Sequence, residues 1–300
     1  MPSYPAQVDD APPHGRSVSD PTDRPIAVVP GSLYLLGGVV PVRGDVNWLP
    51  GARGGYETIN AYLATGPDSA LFVDTGVALH REAIITQAHA VLEPARPVEV
   101  FLTRAEADAA GNLGELIREF DIGRAYTGGR SNPFDFFEEA SAGAPLEMRR
   151  VATAVPGQTN SGEPIRLGPD RTVISITPAL RLLSTSWAYD SGTRALFTSD
   201  TFGQFGMEAP DDSVFVDATA TDGDREMTRE WLLTKFDWLV GARLGSIRAS
   251  IARVVEEFDI ELVLPTHGRI IRGRAAVRSH FDLLLTLLGE FDSRPVRAES

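Results

Sequence analysis

Short apolar runs that close on polar turn residues, alternating with longer stretches of helical period, confine this chain to a layered α/β architecture. The runs fall at 33–36, 59–64, 70–74, 98–103, 172–177, 195–198, 213–217 and 262–265, and each is predicted to be a strand. Helical spacing occupies 81–92, 112–120, 274–288 and the long stretch 225–258, which is expected to break near Gly241. The turns Asp74-Thr75-Gly76 and Asp200-Thr201-Phe202-Gly203 end two of the strands. Polar residues just past strand ends commonly line the ligand cleft of α/β proteins, so these turns point to one end of the sheets.

Composition narrows the class. With 43% hydrophobic content in 300 residues, the chain can bury one large core or two modest ones. No stretch approaches the roughly 20 apolar residues of a membrane helix, and Met1-Pro2-Ser3-Tyr4-Pro5 lacks the features of a secretion signal. A cytoplasmic protein with no membrane partner is expected. The formal net charge of -13 argues against nucleic acid, which calls for a basic stripe. Because Cys is 0, any metal must be held by nitrogen and oxygen ligands. Lys235 is the sole lysine among 28 lysine and arginine residues. Residues 1–26, rich in Pro, Asp and Ser, are expected to be a disordered tail; 27–292 form one domain, and 293–300 a short polar end.

The segment Phe101-Leu102-Thr103-Arg104-Ala105-Glu106-Ala107-Asp108-Ala109-Ala110-Gly111-Asn112-Leu113 carries the most chemistry. Arg104, Glu106 and Asp108 stand at alternate positions, so an extended loop would aim all three into one cavity. Around it come Asn60-Ala61-Tyr62-Leu63, Leu71-Phe72-Val73-Asp74-Thr75-Gly76, Leu196-Phe197-Thr198-Ser199-Asp200 and Leu264-Pro265-Thr266-His267-Gly268. In this order the landmarks resemble the metallo-β-lactamase superfamily over about residues 30–285, which implies an α/β fold built as a four-layered αβ/βα sandwich. Within it the chain is most similar to the di-iron, oxygen-binding domain of flavodiiron proteins, whose loop reads H-x-E-x-D-H and continues with Gly-Asn-Leu. Glu106, Asp108 and Gly111-Asn112-Leu113 match that loop, and Asp200-Thr201-Phe202-Gly203-Gln204 resembles the segment of the bridging aspartate.

The resemblance implies Glu106, Asp108, Asp200 and His267 as metal ligands, an iron, manganese or zinc ion, and a homodimer. The 300 residues hold no flavodoxin-like segment, so a separate flavin or rubredoxin-type electron donor is implied. The departures carry equal weight. Arg104 stands where the first ligand His is expected, Ala109 where the loop's fourth ligand is expected, and 178–184 offers Arg181 but no His. The remaining donors fall short of holding two ions with open positions. One ion on Glu106, Asp200 and His267, with Asp108 assisting, stays open. The favoured expectation is metal-free, because a permanently charged guanidinium repels a cation and pairs with carboxylates. Arg104, Asp108 and His267 are the candidates for acting on a substrate.

Other residues receive plainer expectations. Asp74 supports neighbouring loops by hydrogen bonding, and Asp108 has a helix-capping role before Gly111 as its alternative. His267 is either a turn residue or a group that ligates or transfers a proton; His80 is a surface residue, with a place over the cleft as its alternative, and His89 and His280 lie on helix faces. Trp48, Phe134, Phe136, Phe137, Trp187, Tyr189, Phe202 and Phe205 are expected in the core, with a pocket for a flat ligand as the alternative. The segment 132–137 is the lid candidate. Dinucleotide, Walker and G-x-S-x-G motifs are absent. Four functions stay open: redox or oxygen chemistry on one ion; metal-independent binding or turnover of an anionic small molecule at Arg104 and Arg181; a metal-dependent hydrolase; and a non-catalytic dimeric scaffold.

Overall fold

A computed structural model of the chain describes residues 24–42, 54–128, 146–157, 162–182 and 184–292. The tail expected at 1–26 falls almost wholly outside the described residues, as do the polar end 293–300, His14, Trp48 and the lid candidate with its three phenylalanines.

Two seven-stranded sheets organise the rest. The first runs in chain order through β1 (Ile26–Val29), β2 (Leu33–Pro41), β3 (Tyr56–Thr65), β4 (Ala70–Val73), β5 (Val98–Leu102), β6 (Arg124–Thr127) and β7 (Glu147–Arg150). Its first four strands pair antiparallel and β4 to β7 pair parallel. Parallel neighbours need a crossover. Helix α1 (Arg81–His89) supplies it between β4 and β5, and α2 (Ala107–Ala110) with α3 (Leu113–Glu119) between β5 and β6.

The second sheet contains β8 (Pro164–Gly168), β9 (Arg171–Ile176), β10 (Trp187–Asp190), β11 (Ala195–Ser199), β12 (Phe215–Val216), β13 (Leu262–Pro265) and β14 (Ile270–Arg272), in the order β12-β14-β13-β11-β10-β9-β8. Helices α4 (Asp222–Lys235) and α5 (Gly245–Glu257) connect β12 to β13, and α6 (Arg274–Asp292) follows β14.

Side-chain alternation explains why the sheets stack. In β4, Leu71 and Val73 join the layer between the sheets, while Ala70 and Phe72 face α1 and α3. A strand covered on both faces is apolar throughout, which is why 70–73 reads as a continuous run. Phe197 and Ala195 of β11 likewise point inward and Leu196 outward, toward Phe281, Leu284 and Leu288 of α6. The result is three apolar layers holding four layers of structure, αβ/βα, as expected from the sequence.

Local differences have local causes. The stretch 225–258 is two helices separated by a single turn at Asp237–Leu239 and by Gly241 at φ 77. Helix α4 begins earlier than apolar spacing suggests, because Thr221 and Asp224 form a reciprocal capping box. The strand expected at 213–217 shortens to Phe215–Val216. Strands β6 and β7 escape a search for apolar runs because they carry Arg124, Glu147, Arg149 and Arg150 near the sheet edge, where exposed charge is common.

Candidate functional site

Four strand ends deliver the polar residues of the cleft: β3 brings Glu57, β5 runs into Arg104 to Asp108, β11 into Asp200, and β13 into His267. Backbone turns fix them there. Asp74 at φ 59 and Ser199 at φ 54 occupy the left-handed region that non-glycine residues seldom adopt, a local strain of roughly 1–3 kcal/mol each that surrounding contacts must offset. Gly268 at φ 78 permits the bend after His267, since a Cβ there would meet Gly203 O at 2.8 Å. Its N–H donates to Thr58 O at 2.9 Å, and Thr58 Oγ1 donates back to Gly268 O at 2.6 Å, which stitches the His267 turn to β3.

The expectation of an extended loop fails after Glu106. Ala107–Ala110 is helical, so Arg104 and Asp108 meet across one turn while Glu106 is turned toward the rim. Asp108 therefore lies inside α2, and Asn112, not Asp108, precedes α3.

Arg104 is 3% exposed and forms the centre of the cluster. Its Nη2 donates to Asp108 Oδ2 and lies 3.2 Å from Asp200 Oδ1, while Nη1 donates to Ser199 Oγ and, at 3.2 Å, to Thr266 Oγ1. Nε reaches Glu106 Oε2 only at 3.5 Å. Burial disfavours a charged guanidinium, yet Asp200, Asp108, Asp74 and Glu106 together outweigh that effect and hold Arg104 protonated.

His267 extends the network. Its Nε2 lies 2.6 Å from Asp108 Oδ2 and its Nδ1 3.1 Å from Glu57 Oε1, with Glu57 and His267 fully enclosed. Burial opposes a charged ring, but hydrogen bonds to Asp108 and Glu57 dominate and raise its pKa, favouring an imidazolium that donates on both sides. Burial also pushes the Asp108 carboxyl upward, and Arg104 and His267 more than reverse this, leaving it well below the usual carboxylate range. Glu106 moves the other way, raised by its partial burial against the lowering effect of Arg104.

Asp74 lies beneath the cluster as a support, accepting from Thr103 N and Thr103 Oγ1 at 2.8 Å each and from Thr266 Oγ1 at 3.1 Å. Burial raises its carboxyl to about 6 although Arg104 pulls it down.

Two members were not singled out from the sequence as cleft residues. Glu57 could have been noticed as an acidic residue opening a strand whose remaining positions are mostly apolar. Lys235 stood out as the only lysine, but nothing in the sequence placed it near the cleft. It ends α4 with its Nζ 5.3 Å from the Trp231 ring centroid, and Trp231 Nε1 donates to Asp200 O at 2.8 Å. Burial lowers the Lys235 pKa, and Asp200 partly restores it while Arg104 adds to the lowering.

Of the plainer expectations, one requires correction. His80 is 2% exposed, so the surface placement is wrong; the turn after β4 folds it under the sheet beside Gly37 and Ile59. Arg181 is exposed and joins no ion pair among the described residues, whereas Arg104 is enclosed. His89 pairs with Glu119 at 2.7 Å, and His280 contacts Ala218 O at 3.2 Å, as ordinary helix residues do. Trp187, Tyr189, Phe202 and Phe205 belong to the α4–α6 core. A cavity of about 330 Å³ lined by Leu35, Gly37, Asn60 and Val214 excludes Arg104, Asp108 and Asp200.

Among the described residues, Asp108, Asp200 and His267 each offer one donor atom within 4.8 Å of the others, an arrangement able to hold an ion. The same space is reached by Arg104 Nη2, which touches both carboxylates. An ion placed among those three donors would have to displace the guanidinium, so the donor set and the cation do not fit together as the side chains stand.

By sequence, no family model and no curated protein matches the chain. By structure, it is similar to the rubredoxin:oxygen oxidoreductase of Desulfovibrio gigas, with 18% identity, a TM-score of 0.59, and coverage of 90% of this chain and 61% of that one. The flavodiiron protein of Giardia intestinalis gives 19% identity and a TM-score of 0.58, covering 90% of this chain and 58% of its own. The metal-soaked Flv1 flavodiiron core of Synechocystis sp. gives 18% identity and a TM-score of 0.63, covering 87% and 59%. The chain thus spans about three fifths of the length of these structures. Its αβ/βα sandwich is the metallo-β-lactamase-like fold of a flavodiiron core.

Proposed function

We propose that the chain is a metal-independent relative of the flavodiiron core, in which the Arg104 guanidinium supplies the positive charge that the fold's metals would supply and the cleft serves a small molecule. The observation that carries this reading is Arg104 Nη2, in contact with Asp108 Oδ2 and 3.2 Å from Asp200 Oδ1. A guanidinium in this position neutralises the carboxylates through fixed hydrogen bonds, and it offers no open coordination site. With both terminal nitrogens already donating, Arg104 is not the group that receives an anionic ligand. The partly exposed members of the cluster, Glu106 and Lys235, are the ones able to touch a bound molecule.

Elemental analysis of protein expressed with iron, manganese and zinc checks this reading, with less than stoichiometric metal expected. Retention of a full equivalent, lost on Asp200→Ala or His267→Ala, would establish the opposing case. That case is a single ion on Asp108, Asp200 and His267, favoured by the convergence of their donor atoms within 4.8 Å. Redox or oxygen chemistry with a separate flavin or rubredoxin-type donor belongs to it alone. A homodimer is compatible with either reading, and light scattering measures it.

A further inference from the structure

We propose that the cavity between β2, β3 and residues 210–214 is a binding site for a small, uncharged, mainly apolar molecule carrying one N–H or O–H donor. It is separate from the Arg104 cleft and stands whether or not that cleft holds an ion. Strand lengths open the space. β1 accompanies β2 only as far as the pair Ile26 and Leu35, whereas β2 runs on to Pro41, so among the described residues no strand flanks that side of Gly37 and Val39. Gly37, at φ 106, lies so close to β3 that a Cβ would meet Ile59 O at 2.7 Å. Gln87 of α1 takes the vacant edge: its Oε1 accepts from Gly37 N at 2.8 Å and its Nε2 donates to Gly37 O at 3.1 Å. That side chain stands where a neighbouring strand would bond, so the edge is closed to an added peptide strand. What is left is a pocket of about 330 Å³, at the lower end of the range that holds small ligands.

Asn60 indicates what the ligand must bring. It lines the cavity at 1% exposure, and its Nδ2 donates to Pro265 O at 2.8 Å and to Gly268 O at 2.9 Å. Those two carbonyls fix the amide, because turning it over would set Oδ1 against them. The Oδ1 atom is enclosed and has no hydrogen-bond partner among the described residues. An acceptor left in this state is costly, and a donor brought through the cavity offsets that cost.

Water is the plainer occupant. A buried water needs about two to four polar partners, whereas the wall offers Ile26, Leu35, Val39 and Val214, and Gln87 and Thr58 are already bonded to Gly37 and Gly268. Ile26 is 39% exposed, which leaves apolar surface at the mouth for a larger molecule to cover. Charge there sets a further limit. Asp211 and Asp212 outnumber Arg24 in the lining, and Asp212 Oδ2 is held in place by Glu208 N and Ala209 N at 2.9 Å each, an arrangement that disfavours an anion.

Indole serves as the test ligand, with benzofuran as its isostere lacking the N–H. Methyl-labelled full-length protein is titrated with each and followed by NMR. Indole is expected to shift the methyl signals of Ile26, Leu35 and Val214 saturably at millimolar concentration, and benzofuran to bind about tenfold more weakly. Val39→Trp, which fills the pocket from a half-buried strand position, should abolish the shifts with an unchanged circular dichroism spectrum. No saturation, equal affinity for the two ligands, or shifts confined to Ala105 and Ala107 beside Arg104 overturns the proposal. Comparing indole with benzofuran on the unaltered protein gives this answer even if Val39→Trp does not fold.

Discussion

Removing the Arg104 guanidinium would leave Asp108 and Asp200 enclosed without their common cation. Breaking a buried pair in this way typically costs about 3–5 kcal/mol, so Arg104→Ala is expected to lower the urea midpoint sharply. The same change clears the space among Asp108, Asp200 and His267, and zinc or manganese is then expected to raise the variant's melting temperature while leaving the parent unchanged. His80 governs an acid-sensitive loss of stability. Burial lowers its pKa from 6.5 to about 4, opposed only in part by the Ile59 backbone. Its contribution is present above the unfolded value and lost as pH falls from about 6.5 toward 4, at most about 3 kcal/mol; His80→Leu should flatten stability across that window in urea titrations. His267 has the opposite sign, because its pKa is raised: it stabilises below its unfolded value, and the effect fades as pH rises through the folded one. That Asp108, Asp200 and His267 would meet in one cleft was legible because each lies in a short motif beside a strand end. Glu57 was not, because nothing local marks it as the partner of a histidine 210 positions away.

Helix α4 ties the second half of the chain to the cleft. Its N-terminus depends on the Thr221–Asp224 box, and Thr221→Ala is expected to cost about 1 kcal/mol in thermal unfolding. Its C-terminal half depends on the fit of Trp231 against Gly203. Gly203→Ala would force the indole off Asp200 O, and a loss of about 1–3 kcal/mol with altered tryptophan fluorescence is expected. The break between α4 and α5 was legible because Gly241 interrupts the helical period. The helical turn at Ala107–Ala110 was not: alternate polar residues at 104, 106 and 108 fit an extended loop equally well, and only hydrogen bonds from Ala109 N and Ala110 N to Glu106 O choose the helix.

The two sheets must be in register for the cleft to exist, since Glu57, Arg104 and Asp108 come from one and Asp200 and His267 from the other. Tyr62 and Phe197 hold them together across the middle layer, with ring centroids 5.4 Å apart and Tyr62 Oη donating to Pro265 O at 2.6 Å. Phe197→Ala should therefore cost about 3–5 kcal/mol in urea unfolding.

The sequence by itself determined eight of the fourteen described strands and the longer helices in their order, the lack of histidine at 104, 109 and 178–184, and, through its resemblance to a known fold, the αβ/βα layering. Those properties are written in local periodicity and in short motifs, which neighbouring residues are enough to express. Only the tertiary structure decided that Arg104 turns inward between two carboxylates, that Glu57 and Lys235 join it, and that His80 is enclosed. Each of these depends on which distant strand end or helix packs against the side chain, and that packing is set by burial across the whole sandwich.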